Sequence, residues 1–264
     1  MATLDGNRVE PAQLQALALV NYGHFTAMRV EGAAVRGLSL HLDRLARDSR
    51  RLFDVELDPD RVRSFVRAAV VDVDTPVVVR VTVFDPDLAM GQPGDRARPR
   101  VLVTTRAAPS SLPAGLPGLR LRAAVFAREM PEVKHVGLLG SLYLRRAAQR
   151  AGADDVLFTS DDGHISEVAT ANIGFVDGER LVWPDAPRLP GVTMALINQV
   201  HGRDIANEPI TRSRLATLDA AFVTNAAVGI RAVRTVDGVS WSPEEPAVLR
   251  LLRKQYAGIP FDSL

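Results

Sequence analysis

Residues 132–172 contain the features that most constrain the fold and function of the chain. Their sequence is EVKHVGLLGSLYLRRAAQRAGADDVLFTSDDGHISEVATAN. It holds Lys134, one of only two lysines in the chain, and Glu167, an acid among apolar neighbours. A lysine amine becomes a nucleophile where desolvation or a nearby cation lowers its pKa, and the apolar flanks of Lys134 favour such a setting. From spacing alone, a surface lysine at the start of a helix remains the simpler interpretation. Glu167 predicts a bonding partner, because burying an acid without one is costly.

Composition bounds the class of protein. The chain has 264 residues, 47% of them hydrophobic and 24% charged, which is typical of a soluble protein with one large or two modest domains. A net charge of +1 predicts neither a nucleic-acid nor a membrane partner, and the short basic runs at 47–51 and 96–100 are interpreted as solvated faces. The absence of cysteine excludes disulfides and thiol chemistry. No signal peptide, membrane span or metal-ligand spacing is found, so we expect a cytoplasmic protein without a metal site.

The first part of the chain predicts a small α+β domain over residues 1–106. Alternation in HFTAMRV, residues 24–30, predicts a strand. A helix is predicted over residues 39–53 with Ser39 as its N-cap, and a second helix begins at Asp58, with a proline at its first position. The β-branched runs at 76–84 and 100–106 predict two further strands.

The remainder predicts a larger, β-rich domain over residues 119–264. Residues 107–118, AAPSSLPAGLPG, are rich in Pro, Gly, Ser and Ala and are predicted to be the linker between the domains. A single strand-like segment is predicted over 165–176, and a helix directly after Gly191. The last helix is predicted to begin at Ser242, which would act as its N-cap.

Several segments recur in an order that resembles the class IV aminotransferase family. They are GHFTAMRV (23–30), HLDRL (41–45), ISEVATANIGFV (165–176), LPGVT (189–193) and Thr224-Asn225-Ala226. The resemblance covers most of the chain. It implies a two-domain α/β (α+β) fold of fold-type IV, like that of D-amino-acid aminotransferase, with pyridoxal 5'-phosphate in the cleft between the domains. It also implies a homodimer.

The resemblance implies roles for particular residues. Lys134 would bind the cofactor as a Schiff base and then move the proton, while Glu167 would pair with the ring nitrogen. Arg44 would bind the phosphate, and its alternative role is a surface ion pair with Asp48. Further phosphate contacts are implied for Val192, Thr193, Asn225 and Ala226, and a substrate pocket for Phe25, Arg29, His135 and Ala227.

The implied reaction is transamination between an amine or amino acid and a keto acid. D-amino acids, (R)-amines and branched-chain amino acids all remain open as donors. Leu139 stands where branched-chain enzymes have a tyrosine, and the pair Lys134-His135 favours the other branch, aminodeoxychorismate lyase, which gives 4-aminobenzoate and pyruvate. That lyase needs a threonine hydroxyl where this chain has Ala27. A non-catalytic binding protein that kept the fold is the remaining alternative.

Overall fold

A computed structural model describes residues 2–109, 116–202 and 204–264. These residues group into two compact units. The first unit holds residues 2–109, Val133–Gly137 and Pro260–Leu264, and the second holds residues 116–132 and Leu138–Ile259. The predicted division assigned residues 133–137 and 260–264 to the second domain, whereas here both segments group with the first unit. Of the predicted linker 107–118, residues 110–115 lie outside the described residues.

The first unit is built on a seven-stranded sheet with the order β16-β4-β3-β5-β6-β1-β2. Its strands are β1 Ala2–Leu4, β2 Asn7–Arg8, β3 His24–Glu31, β4 Ala34–Val35, β5 Val77–Phe84, β6 Arg100–Ala107 and β16 Asp262–Ser263. Its helices are α1 Gln15–Leu19, which follows a 3-10 turn at Pro11–Leu14, α2 Leu38–Phe53 and α3 Pro59–Val70. Because side chains alternate along a strand, Met28 and Val30 of β3 face the core of α2 and α3, and Phe25 and Ala27 face the opposite side.

Helix α2 begins without a side-chain cap of its own. The N-cap is Gly37, whose φ of +71° lies in the left-handed region that favours glycine. The prediction of Ser39 as N-cap is therefore wrong. Asp262 instead bonds one of the free amides at the start of the helix, because its carboxylate accepts the backbone N–H of Leu38 at 2.8 Å. A residue 224 positions away thus completes the start of the helix.

The second unit is built on a nine-stranded sheet with the order β12-β11-β10-β13-β14-β7-β8-β9, and β15 pairs with β14. Its strands are β7 Leu119–Val125, β8 Asp155–Thr159, β9 Ile165–Val168, β10 Asn172–Asp177, β11 Arg180–Pro184, β12 Ile205–Glu208, β13 Ala220–Asn225, β14 Gly229–Val236 and β15 Val239–Ser240. Its helices are α4 Leu139–Arg150, α5 Val192–Val200 and α6 Ala247–Ala257, with a 3-10 turn at Arg212–Thr217. The core is apolar and includes Phe175, Trp183 and Phe222, all fully buried.

Two predicted boundaries in this unit are wrong. The single strand expected over 165–176 is divided into β9 and β10, because Val168 turns to bond its N–H to the carbonyl of Ala171. Helix α6 begins at Ala247 rather than at Ser242. Pro246 explains the late start, because a proline disfavours helical conformation in the residue before it.

No helix in the described ranges is long and apolar enough to cross a membrane. Within the same ranges no group of three or more histidines and acids could hold a metal ion.

Candidate active site

Lys134 lies in a short segment, Val133–Gly137, that is packed into the first unit. The backbone carbonyl of Lys134 accepts the N–H of Phe25 at 2.8 Å, and its own N–H donates to Asp48 Oδ2 at 3.1 Å. Val136 then donates to the carbonyl of Gly23 at 2.9 Å. The main chain of the lysine is therefore fixed on both sides. Because α4 begins only at Leu139, Lys134 does not lie at a helix start, and its side chain is half-buried.

Two cationic side chains lie over the ring of Phe25. The ammonium of Lys134 lies 4.9 Å from the ring centre, and the guanidinium of Arg80 lies 3.7 Å from it. Both distances suit cation–π attraction. Arg80 also donates to the hydroxyl of Thr82 at 3.1 Å, and burial lowers its pKa. Among the described residues no carboxylate forms an ion pair with Arg80, so this cation could bind an anionic ligand.

Arg44 lies in a buried polar cluster between α2 and β3. Its side chain donates to the hydroxyl of Thr26, which also bonds His41 Nδ1 at 2.7 Å. Burial lowers the pKa of Arg44 to about 10, the negative charge of Asp48 opposes this, and Arg47 adds to it. The alternative of a surface ion pair between Arg44 and Asp48 is wrong, because both side chains are buried.

Two buried histidines, His24 and the cluster member His41, have lowered pKa values. Burial, and then the positive charges of Arg44 and Arg47, lower the pKa of His24 to about 3. Burial, Arg44 and Lys134 lower the pKa of His41 well below its usual value. Both rings are therefore neutral at pH 7. The positive charge in this part of the first unit comes from the arginines and Lys134.

Glu167 belongs to the second unit and is buried with Arg128. One carboxylate oxygen accepts Arg128 Nε at 2.8 Å, and the other accepts the backbone N–H of Leu189 at 3.2 Å. The two side chains are only 7% and 9% exposed. A carboxylate has about four acceptor positions, so Glu167 retains capacity for a further donor. Sequence reasoning did not find Arg128, which lies in an irregular segment after β7 with no local pattern to mark it.

The start of α5 is shaped as an anion site. Its N-cap is Gly191, and a Cβ at that position would lie 2.0 Å from Asn172 Oδ1, so only glycine fits. The first amides of the helix, those of Val192 and Thr193, have no partner within the helix and lie at the positive end of its dipole. The Thr193 hydroxyl is buried and bonds to none of the described residues. Together these groups are suited to bind a phosphate.

A second turn lies beside this helix start. Thr224 of β13 stands opposite Asn172 of β10 in the sheet, and its buried hydroxyl also bonds to none of the described residues. Asn225 accepts the amides of Ala227 and Val228 through its side chain, each at 3.0 Å, and so fixes the turn that contains Ala226. The sequence indicated this turn, but Thr224 was not among the predicted site residues.

The other positions that the sequence singled out have contacts or exposure that do not indicate a ligand. Arg29 on β3 pairs with Glu31 and donates to the carbonyl of Pro109 at 2.7 Å. His135 pairs with His24 through the backbone. Leu139, at the position where the resemblance places a tyrosine, is 83% exposed at the start of α4.

The described residues fit pyridoxal phosphate in chemical type. The cofactor requires an amine to bind its aldehyde, cations and amides for its phosphate, and an acid for its ring nitrogen. Lys134 and Arg44 lie in the first unit, while Glu167 and Thr193 lie in the second. The unpartnered hydroxyl of Thr193 is the strongest local indication, because a buried hydroxyl without a partner loses the hydrogen bonds it makes in water.

Comparison with known proteins gives one family. The model of the class IV amino-transferase family matches residues 23–236. A protein of Methanocaldococcus jannaschii, provisionally named a branched-chain-amino-acid aminotransferase, is 30% identical over 113 residues. That match spans 41% of this chain and only 39% of the relative.

Two solved structures resemble almost the entire chain. The branched-chain amino acid aminotransferase of Escherichia coli has a TM-score of 0.84 at 22% identity, covering 98% of this chain and 93% of that one. The branched-chain aminotransferase of the archaeon Thermoproteus uzoniensis, solved with norvaline, has a TM-score of 0.85 at 21% identity, covering 97% and 93%. At such identities the likeness establishes the fold, and the predicted α+β architecture of fold-type IV is confirmed.

Proposed function

The chain belongs to the class IV amino-transferase family, and from that premise we propose that it is a transaminase that uses pyridoxal 5'-phosphate. The observation that carries the proposal is the environment of Lys134. Its backbone is fixed through both its N–H and its carbonyl, and its ammonium lies on the ring of Phe25. A lysine held in this way can present its amine repeatedly at one position, as a covalent cofactor site requires.

The proposed roles follow from the chemistry of each group. When bound, pyridoxal phosphate supplies a ring that withdraws electrons from the substrate carbon. Lys134 binds the cofactor covalently and, once released, moves a proton at Nζ. Glu167 would accept a charge-assisted hydrogen bond from the ring nitrogen and so keep that nitrogen protonated. Arg44, the amides of Val192 and Thr193, and the turn of Asn225 and Ala226 bind the phosphate.

Arg80 supports an acid, rather than a simple amine, as the substrate. It is a desolvated cation on the same aromatic ring as Lys134, and among the described residues it has no counter-ion. A carboxylate of an amino acid or keto acid would supply that charge in a bidentate pair. We therefore propose an amino-acid donor and a keto-acid acceptor, with Phe25, Arg29, His135 and Ala227 also facing the substrate. The half-reaction screen described below distinguishes D-amino acids from branched-chain L-amino acids as donors.

Thr26 favours transamination over the lyase alternative. The lyase needs a hydroxyl that can give a proton to the leaving group, at the position of Ala27. The neighbouring hydroxyl of Thr26 lies on the other face of β3 and is bonded to Arg44 and His41. Its hydrogen-bonding capacity is thus committed to the interior of the first unit.

A spectroscopic half-reaction tests this function. The purified protein, supplied with pyridoxal phosphate, is mixed separately with D- and L-amino acids and with (R)- and (S)-amines. We expect loss of the cofactor's visible absorbance with amino acids, and borohydride labelling that is much faster at Lys134 than at Lys254. Pyruvate formed from aminodeoxychorismate without a keto acid would favour the lyase instead. A colourless protein that borohydride leaves unlabelled would refute both reactions.

A homodimer is also proposed. Leu139, Leu142 and Tyr143 of α4 are 83%, 50% and 66% exposed, and their spacing of three and four residues places them on one face of the helix. Exposed apolar residues in one group mark interaction surfaces. Sedimentation of the protein and of the double variant Leu139→Glu, Leu142→Glu tests this, and a monomer at every concentration would contradict it.

A further inference from the structure

Asp48 is a buried acid that the proposed reaction does not use. Its side chain is 0% exposed, although it lies in the run of residues 47–51 that was expected to be solvated. Arg50 and Arg51 of that run are exposed, whereas Asp48 is on the buried side of α2. Burying a carboxylate is costly unless charges and hydrogen bonds compensate for the lost water. A buried Asp48 therefore requires close charged or hydrogen-bonding partners.

The two carboxylate oxygens of Asp48 have different partners. Oδ1 accepts Nε and Nη2 of Arg47 at 3.0 and 2.7 Å. Oδ2 accepts the backbone N–H of Lys134 at 3.1 Å, across 86 positions of sequence. Arg47 offsets the charge from within the same helix. The bond to Lys134 is the one that ties a remote segment to α2.

On α2, Asp48 lies close in sequence to Arg44, the residue proposed to bind the phosphate. Asp48 follows Arg44 by four residues, so both side chains project from the same face of the helix. Arg44 is the proposed phosphate-binding cation, and the negative charge of Asp48 opposes the lowering of the pKa of Arg44 by burial. One rigid helix thus holds the guanidinium of Arg44 and, through Asp48, the backbone of Lys134.

We propose that Asp48 is a positioning residue that fixes Lys134 to α2 and so sets where the lysine amine lies relative to Arg44. The role of Lys134 in this inference rests on the proposed function. The bond between the Lys134 N–H and Asp48 Oδ2 is made by the main chain of the lysine, so Asp48 acts on Lys134 through its backbone. Its removal should therefore slow covalent capture of the cofactor at Lys134 and leave the chemistry of other amines unchanged.

Timed capture of the cofactor measures this effect in the full chain. Cofactor-free wild type, Asp48→Ala, Asp48→Asn and Asp43→Asn are each mixed with pyridoxal phosphate and quenched with borohydride at intervals. Mass spectrometry of the digested protein then gives the labelled fractions of Lys134 and Lys254. Asp43 is exposed on the same helix and is the matched control, while Lys254 reports general amine reactivity in every sample.

We expect Asp48→Ala to slow labelling of Lys134 by roughly ten- to a hundredfold, the factor for losing a hydrogen bond to a charged group. Asp48→Asn keeps an acceptor for the Lys134 N–H and should fall between Asp48→Ala and wild type. Asp43→Asn should match wild type, and Lys254 labelling should be constant. Circular dichroism, recorded below the thermal midpoint of each variant, confirms that it is folded.

Two results would overturn the inference. In one, folded Asp48→Ala labels Lys134 within twofold of wild type. In the other, Lys254 slows as much as Lys134. If wild type itself is never labelled at Lys134, the proposed function fails instead, so the two failures are distinguishable.

Discussion

The α2 cluster of the first unit and the α5 turn of the second both bury threonine hydroxyls, and they differ in what those hydroxyls bind. In the α2 cluster, which consists of Thr26, His41, Arg44 and Asp48, the Thr26 hydroxyl bonds to two side chains. In the α5 turn, which consists of Gly191, Val192 and Thr193, the Thr193 hydroxyl bonds to none of the described residues.

Under the proposed function, this difference gives two ways of preparing a binding site. The α2 cluster is oriented by the protein's own hydrogen bonds, and Asp48 extends that order to the backbone of Lys134. The α5 turn keeps hydrogen-bonding capacity that a ligand can use, at the positive end of a helix dipole. A change in the α2 cluster should therefore cost folding stability, whereas a change in the α5 turn should cost ligand affinity.

The largest expected effect is the loss of transamination when Lys134 is replaced. Lys134→Ala should lower transamination by at least about a thousandfold, because both covalent binding and proton transfer are lost. Amino-acid-dependent formation of pyridoxamine phosphate is the measurement. Lys254→Ala, at an exposed position of α6, is the control and should retain activity. Full turnover by Lys134→Ala would remove Lys134 from the mechanism.

The buried pair of Arg128 and Glu167 offers the next test. Glu167→Gln should lower turnover by about a hundredfold, as losing one preorganised electrostatic contact does. It should also cost about 3 kcal/mol of stability, because the buried charge of Arg128 loses its partner. Adding Arg128→Met should restore much of the stability but not the turnover. Urea unfolding and initial rates measure the two effects, and recovery of both would show that Glu167 has only a structural role.

Acid should weaken the first unit through His24. The folded pKa of His24 is about 3 and its unfolded pKa about 6.5, so the unfolded chain binds the additional proton. The contribution is complete above pH 6.5 and is lost as the pH falls towards 3, at up to about 1.4 kcal/mol per pH unit. His24→Leu should flatten the curve of urea midpoints between pH 6.5 and pH 4. Parallel curves for wild type and variant would contradict this assignment.

Local patterns predicted most elements, and a remote contact explains one of the errors. The β-branched run at 76–84 and the Asp58-Pro59 start of α3 were predicted and are found as β5 and α3. The start of α2 was not, because Asp262 supplies the contact from the other end of the sequence. The family segments indicated the lysine, the acid and the phosphate turn.

The missed site residues share one property: their roles depend on contacts that sequence spacing does not show. Arg128 meets Glu167 across 39 positions, and Asp48 meets Lys134 across 86. Arg80 carried a visible signal, a lone cation in the valine-rich run of β5, but its place on the ring of Phe25 depends on strand pairing.

The smallest expected effects come from replacing Thr26 and Thr193 by valine. The two variants compare the α2 cluster with the α5 turn directly. Thr26→Val should lower the free energy of unfolding by about 1–3 kcal/mol, because it leaves a buried donor of Arg44 unsatisfied. Thr193→Val removes a hydroxyl that bonds to none of the described residues, so the stability of the cofactor-free protein should not fall. Its affinity for pyridoxal phosphate should fall about five- to tenfold, the loss of one hydrogen bond. Urea unfolding and cofactor titration of both variants give the four values. If Thr193→Val destabilises the cofactor-free protein as much as Thr26→Val does, the α5 turn is held by the protein's own bonds and the distinction between the two regions fails.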